Sequence, residues 1–150
     1  MKKAFIAGFF STLTIGILAI LTYKSPFGLF IAASFGSSMV LLFGFPESPF
    51  AQPKNVFFGH LVSASVGVFF VNLIPLPIYI SIAFAVGIGI FLMILLNVVH
   101  PPAGGNPILV IIGSVSYDYL IFPVITGCII IILLAIFINK LILKKKYPLK

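Results

Sequence analysis

The chain has 150 residues, of which 61% are hydrophobic and only 7% are charged. A soluble domain cannot bury so large an apolar fraction, so the composition excludes that class and predicts a single transmembrane domain over residues 1–150. The net charge of +7 does not indicate nucleic-acid binding, because most of the lysines flank the first and last apolar segments.

The first apolar segment, Ala4–Thr22, follows Lys2 and Lys3. It is too long for the hydrophobic region of a signal peptide, and no small-x-small cleavage site precedes Lys24. We therefore expect a retained transmembrane helix with its lysines on the cytoplasmic side.

The second apolar segment, Phe27–Phe45, has spanning length but contains several glycines and serines. If it crosses as a helix and the short segment Ile108–Val115 does not, the chain has five spans and its termini lie on opposite sides. If both segments are broken or re-entrant, four full spans remain and both lysine clusters face the cytoplasm. The positive-inside rule favours the second topology.

A polar stretch separates Phe45 from the next apolar segment, Val56–Ile74, and His60 follows in the first turns of that helix. Polar groups at membrane depth usually face a cavity or a partner. The alternative is a turn at the membrane surface, in which Glu47 and Lys54 sit in water or pair with each other. The stretch supplies four candidate site residues: Ser48, Gln52, Lys54 and Asn55.

Small residues recur every four positions along the third apolar segment, as Gly59, Ser63 and Gly67. Such stripes allow helices to approach closely in lipid. We interpret this stripe as favouring close helix packing and a homo-oligomer.

The fourth apolar segment, Ile78–Val99, must end at the run His100-Pro101-Pro102-Ala103-Gly104-Gly105-Asn106-Pro107, because three prolines cannot continue a helix. Non-helical backbone at membrane depth tends to line a cavity or to pack inside protein. Neutral donors and backbone amides in such a loop suit a small anion. Capping of the preceding helix is the structural alternative for His100.

The last apolar segment, Leu120–Ile138, ends in a lysine-rich tail. Each half of the chain then follows one pattern: a long helix, an interrupted segment and a second long helix. Paired interrupted segments are a recognised indicator of a transport site, so the pattern predicts a two-fold internal repeat. Cys128 has no disulfide partner in the chain and is expected to be a packing residue.

Two long motifs resemble those of the HPP family of integral membrane proteins. One is His100-Pro101-Pro102-Ala103-Gly104-Gly105, and the other runs from Phe45 to Asn55 and is followed by Gly59-His60. The resemblance implies four membrane spans. Plastid and cyanobacterial members are associated with nitrite transport, so it also implies a transporter of a small anion.

The sequence therefore predicts an all-α polytopic membrane protein with four full transmembrane helices and two broken or re-entrant segments. The expected partners are a small inorganic anion (with nitrite as the leading candidate), the lipid bilayer and further copies of the chain. The expected location is a bacterial plasma membrane with both termini cytoplasmic. A non-transporting membrane scaffold is the alternative. No nucleophile elbow, zincin motif or carboxylate pair indicates an enzyme, and no cofactor or metal is expected.

Within the expected site, His60 and His100 contact or gate the ion, and Lys54 attracts anions to the mouth. The remaining candidates shape the loops or donate hydrogen bonds: Ser48, Gln52, Asn55, Pro101, Pro102, Gly104, Gly105 and Asn106.

Overall fold

Six helices make up most of the computed structural model, which describes residues 1–26 and 28–149. They are α1 (Lys2–Lys24), α2 (Ala33–Gly44), α3 (Pro53–Leu73), α4 (Ile78–Leu95), α5 (Asn106–Ile112) and α6 (Leu120–Ile142). Among the described residues, α1, α3, α4 and α6 are long and apolar enough to cross a membrane. The predicted all-α architecture with four spanning helices is confirmed. Phe27 and Lys150, which the sequence places in the second segment and in the tail, lie outside the described residues.

Proline and left-handed residues set the helix ends. Pro53 occupies the first turn of α3, where its missing N–H costs nothing. Beyond α4, Asn97 adopts φ 53°, and the amides of Asn97 and Val98 donate to Ile94 and Met93. This is a Schellman cap with asparagine at the left-handed position. The end of α4 is therefore capped by the backbone around Asn97, and the ring of His100 is free for other contacts.

The second segment crosses the whole bundle although its helix is short. At one end of α1 the Phe30 amide donates to Thr22 Oγ1 over 3.0 Å, and at the other end Lys3 Nζ lies 4.4 Å from the centre of the Phe45 ring. At about 1.5 Å per helical residue, Lys3 and Thr22 are about 28 Å apart, close to the thickness of a hydrocarbon core. The segment is thus a broken crossing with an extended first part and α2 as its second part.

The chain between α4 and α6 makes a second broken crossing. Asn55, at the start of α3, donates to the Val99 carbonyl over 2.9 Å. Fifteen residues further on, Ser114 lines a cavity together with Ile74, at the other end of α3. A short 3₁₀ turn (Pro101–Gly105) and α5 fill the distance between them.

The two halves of the chain run in opposite directions. Lys2, Lys3 and Lys145 line one cavity, and we call this side of the bundle the lysine end. From there α1 ascends, α2 descends and α3 ascends, whereas α4 descends, α5 ascends and α6 descends. A two-fold internal repeat of these halves, which stays a prediction, would therefore be an inverted one. Both chain ends lie at the lysine end.

The small-residue stripe of α3 packs against this chain itself. A Cβ atom on Gly59 would lie 2.7 Å from His100 Cβ, and one on Gly67 would lie 2.9 Å from Pro107 Cα. Between them, the Ser63 hydroxyl donates to the Ala103 carbonyl over 2.7 Å. The stripe allows the second broken crossing to pack closely against α3 within one chain. It therefore does not support a contact between two chains, and the homo-oligomer stays a prediction.

Candidate functional site

His60 lies inside the bundle, two turns into α3, with 1% of its surface exposed. The ring of Phe35 packs against it edge to face, with centroids 5.1 Å apart. Phe35 belongs to the first turn of α2, which is the point where the first broken crossing becomes helical. A polar ring thus sits at the break in the first crossing.

His100 meets His60 from the second broken crossing. It has no exposed surface, its backbone is extended (φ −135°, ψ 99°), and its ring centre lies 4.9 Å from that of His60. The approach depends on Gly59, because any side chain there would collide with His100 Cβ. On its far side, His100 Nδ1 donates to the Phe50 carbonyl over 2.7 Å.

Ser38 of α2 joins the two histidines. Its hydroxyl oxygen lies 3.0 Å from His60 Nε2 and 2.8 Å from His100 Nε2. One turn earlier, Ser34 Oγ lies 3.5 Å from His60 Nδ1. Both serines are buried, so α2 contributes one polar face to an otherwise apolar core.

Asn106, the first residue of α5, completes the cluster. Its Nδ2 lies 3.1 Å from His60 Nδ1 and 3.2 Å from the His60 carbonyl oxygen. Its Oδ1 is buried and has no hydrogen-bond partner. An unpaired buried acceptor is costly, so this atom is a point at which a small hydrogen-bond donor would be stabilised. We call His60, His100, Ser38, Ser34 and Asn106 the histidine cluster.

Within the part of the chain that the structure describes, no lysine, aspartate or glutamate side chain contacts the histidine cluster. Four charged residues instead line a cavity of about 490 Å³ at the lysine end: Lys2, Lys3, Glu47 and Lys145. Lys3 and Glu47 form an exposed ion pair of 3.9 Å there. In the described part of the chain, no group of three or more His, Cys, Asp and Glu side chains is placed to hold a metal ion.

The other predicted candidates lie around the histidine cluster. Gln52 donates to the Pro46 and Ser48 carbonyls, Ser48 Oγ accepts from the Phe50 amide, and Asn55 holds the Val99 carbonyl. These bonds fix the loop that presents the Phe50 carbonyl to His100. Lys54 is exposed at the start of α3.

The proline and glycine candidates form the 3₁₀ turn that leads to Asn106. Pro101 and Pro102 begin this turn, and Gly104 and Gly105 end it. A Cβ atom on either glycine would meet nothing within 4 Å, so open space adjoins the turn on that side.

Ser34 and Ser38 were not among the predicted site residues. In the sequence they only lower the hydropathy of an apolar segment. They stand four positions apart, however, and this spacing puts both on one helix face. That spacing was the available signal. The tail adds a second unpredicted contact: Tyr147 is buried, and its hydroxyl donates to the Ala51 carbonyl over 2.8 Å, next to Phe50.

Residues 1–148 match the model of the HPP transmembrane region. The chain is similar to two curated transmembrane proteins of Dictyostelium discoideum. One is 34% identical over 79% of this chain and 44% of the relative, and the other is 33% identical over 88% of this chain and 46% of the relative. The chain thus spans less than half the length of these relatives. No solved structure shows significant similarity to it.

Proposed function

This chain belongs to the HPP transmembrane family, and we propose that it transports a small inorganic anion across the membrane, with nitrite as the leading candidate. The observation that carries the proposal is the meeting of two oppositely directed broken crossings at the buried histidine cluster. Inverted repeats with discontinuous helices are the architecture in which transporters place a substrate site near the middle of the membrane.

The chemistry of the cluster suits a small ion with several acceptor atoms. Serine hydroxyls, the Asn106 amide and imidazole N–H groups are donors that can exchange their present partners for such an ion. Among the residues that the structure describes, no lysine contacts the site, so a bound anion would not be trapped in an ion pair there. The lysines at the ends of the bundle attract anions towards it, because long-range charge raises their local concentration.

The proposal includes transport without chemical change of the ion and a cytoplasmic location of both chain ends. The common position of Lys2, Lys3 and Lys145 at the lysine end supports that orientation. A bacterial plasma membrane is the proposed location.

Nitrite uptake into vesicles reconstituted with the purified chain tests the function. Nitrate, chloride and formate serve as competing anions, and protein-free vesicles at alkaline pH give the background of nitrous acid diffusion. We expect uptake above background that is lost in Asn106→Leu and His60→Gln. Asn72→Leu is the matched control, because Asn72 is an exposed asparagine that donates to the Val68 carbonyl of its own helix.

Uptake equal to that of protein-free vesicles for every anion would refute transport and favour the membrane scaffold. Equal uptake by Asn106→Leu and Asn72→Leu would show that ions pass elsewhere. Thermal unfolding of each variant separates loss of the site from loss of the fold.

A further inference from the structure

We infer that His60, Ser38 and His100 form a proton relay, so that each anion is carried together with a proton. This inference rests on the proposed transport function and names the second species that the same site moves. It is drawn from the hydrogen bonds of the histidine cluster, whose donors and acceptors are fixed by their partners.

The outer partners determine which ring nitrogens carry hydrogen. A backbone carbonyl can only accept, so His100 Nδ1, at 2.7 Å from the Phe50 oxygen, is an N–H donor. The Asn106 Nδ2 group can only donate, so His60 Nδ1, at 3.1 Å, is an acceptor. In neutral rings the other nitrogens take the opposite roles: His60 Nε2 donates and His100 Nε2 accepts.

Ser38 satisfies both of these inner nitrogens at once. Its oxygen accepts from His60 Nε2 at 3.0 Å, and its hydrogen is donated to His100 Nε2 at 2.8 Å. The Ser34 carbonyl, at 3.2 Å, is a more distant competitor for that hydrogen. The bonds from Asn106 to the Phe50 carbonyl therefore all point in one direction, as a proton-conducting chain requires.

One proton can pass along this chain of hydrogen bonds, with one N–H or O–H bond formed for each one that breaks. A proton binds the lone pair of His60 Nδ1 as the Asn106 amide withdraws, and the Nε2 proton of His60 moves to Ser38. The Ser38 hydroxyl proton moves to His100 Nε2, and His100 Nδ1 releases its proton to water at the loop that carries the exposed Phe50. The two hydrogen bonds of Ser38 are then reversed. The bonds of His60 Nδ1 with Asn106 and of His100 Nδ1 with the Phe50 carbonyl are lost, because that amide group only donates and that carbonyl only accepts. The rings must therefore turn or exchange protons before a second passage. The chain thus carries one proton per cycle.

The unpaired Oδ1 of Asn106 indicates how the proton arrives. This buried acceptor belongs to the residue that contacts His60 Nδ1. It would be satisfied by an O–H donor, either water or the conjugate acid of a weak-acid anion such as nitrite. Among the described residues, no other titratable side chain contacts the two rings and could take up the proton instead. The groups that face the rings come from α2, α5 and one loop: Ser34, Phe35, Ser38, Asn106 and the Phe50 backbone.

The protonation state of each ring nitrogen can be measured by ¹⁵N NMR, and the spectrum is simple because the chain contains two histidines. In ¹⁵N-histidine-labelled protein in detergent, we expect an Nε2–H signal pattern for His60 and an Nδ1–H pattern for His100. The variants His60→Gln and His100→Gln assign the two sets. The same tautomer at both rings, or protonation of both rings at neutral pH, would overturn the relay.

Vesicles containing a pH-sensitive dye test the proton itself. We expect nitrite uptake at alkaline pH to acidify the lumen by about one proton per ion, beyond the acidification of protein-free vesicles. Ser38→Ala should reduce this proton movement about a hundredfold, and Ser38→Cys, which keeps a weak donor, should restore part of it. Ser63→Ala is the matched control, because Ser63 is equally buried but bonds the Ala103 carbonyl outside the relay.

The two proposals fail in different ways. Absence of uptake of every tested anion by the unmodified chain refutes the transport function, and the relay is then decided by the tautomers and by the response to an acid pulse without an added anion. Nitrite uptake without lumen acidification, or Ser38→Ala behaving like Ser63→Ala, leaves the transport function in place and refutes the relay.

Discussion

Replacement of Gly59 by alanine should destabilise the protein through a single steric contact. The new Cβ would lie 2.7 Å from His100 Cβ and 2.9 Å from the Val98 carbonyl oxygen, whereas carbon atoms in contact are about 3.5–4.0 Å apart. The His100 loop must therefore move by about 1 Å. Overpacking of this kind costs about 1–3 kcal/mol.

Gly87→Ala isolates that cost, because a Cβ on Gly87 meets nothing within 4 Å and both glycines lie inside spanning helices. The gain in helix propensity, up to about 1 kcal/mol, is common to the two variants and cancels in their difference. Gly59→Ala should therefore unfold about 2–12 °C below Gly87→Ala, at about 2–4 °C per kcal/mol for a chain of this length.

The buried Cys128 provides the assay, since it is the chain's single cysteine and reacts with a thiol-sensitive dye only on unfolding. Nitrite uptake should also fall in Gly59→Ala, because the His100 ring is displaced from Ser38. Equal unfolding temperatures for the two alanine variants would refute the account of how the second broken crossing packs on α3.

Two further predictions concern the tail. Tyr147→Phe removes the hydroxyl that donates to the buried Ala51 carbonyl, so we expect a loss of about 1–3 kcal/mol of unfolding free energy; an unfolding temperature equal to the unmodified protein's would contradict this. Cysteines placed at Lys3 and Pro148, in a Cys128→Ser background, should be labelled from the same side of the membrane. Labelling from opposite sides would contradict the common position of the chain ends.

The spanning helices and the two interruptions could be predicted because they follow from local chemistry. Apolar length identifies α1, α3, α4 and α6, and the prolines after His100 stop α4 wherever the rest of the chain lies. The sequence left open whether the interrupted segments re-enter or cross. Only contacts with neighbouring helices, such as Phe45 with Lys3, decide that they cross.

The centre of the candidate site could be predicted, but its connections could not. His60, His100 and Asn106 stood out because ionisable and amide side chains are rare in an apolar chain. Ser38 did not, because a serine in a helix usually bonds its own backbone, and its two histidine partners lie 22 and 62 positions away. The α3 stripe was correctly predicted to allow close approach, but its partner is the second broken crossing of the same chain.

Under the proposed transport function, the opposite directions of the two halves predict a second conformation of the molecule. When two halves are related by inversion, each presents to one side of the bilayer what the other presents to the opposite side. Under the proposed transport function, an exchange of conformation between the two halves would give the histidine cluster access from the opposite side of the bilayer. In the present shape, the loop around Phe50 is held by Tyr147 and Gln52 at the lysine end. The counterpart of that loop joins α5 to α6 at the opposite end, and this is where the exchanged state would close.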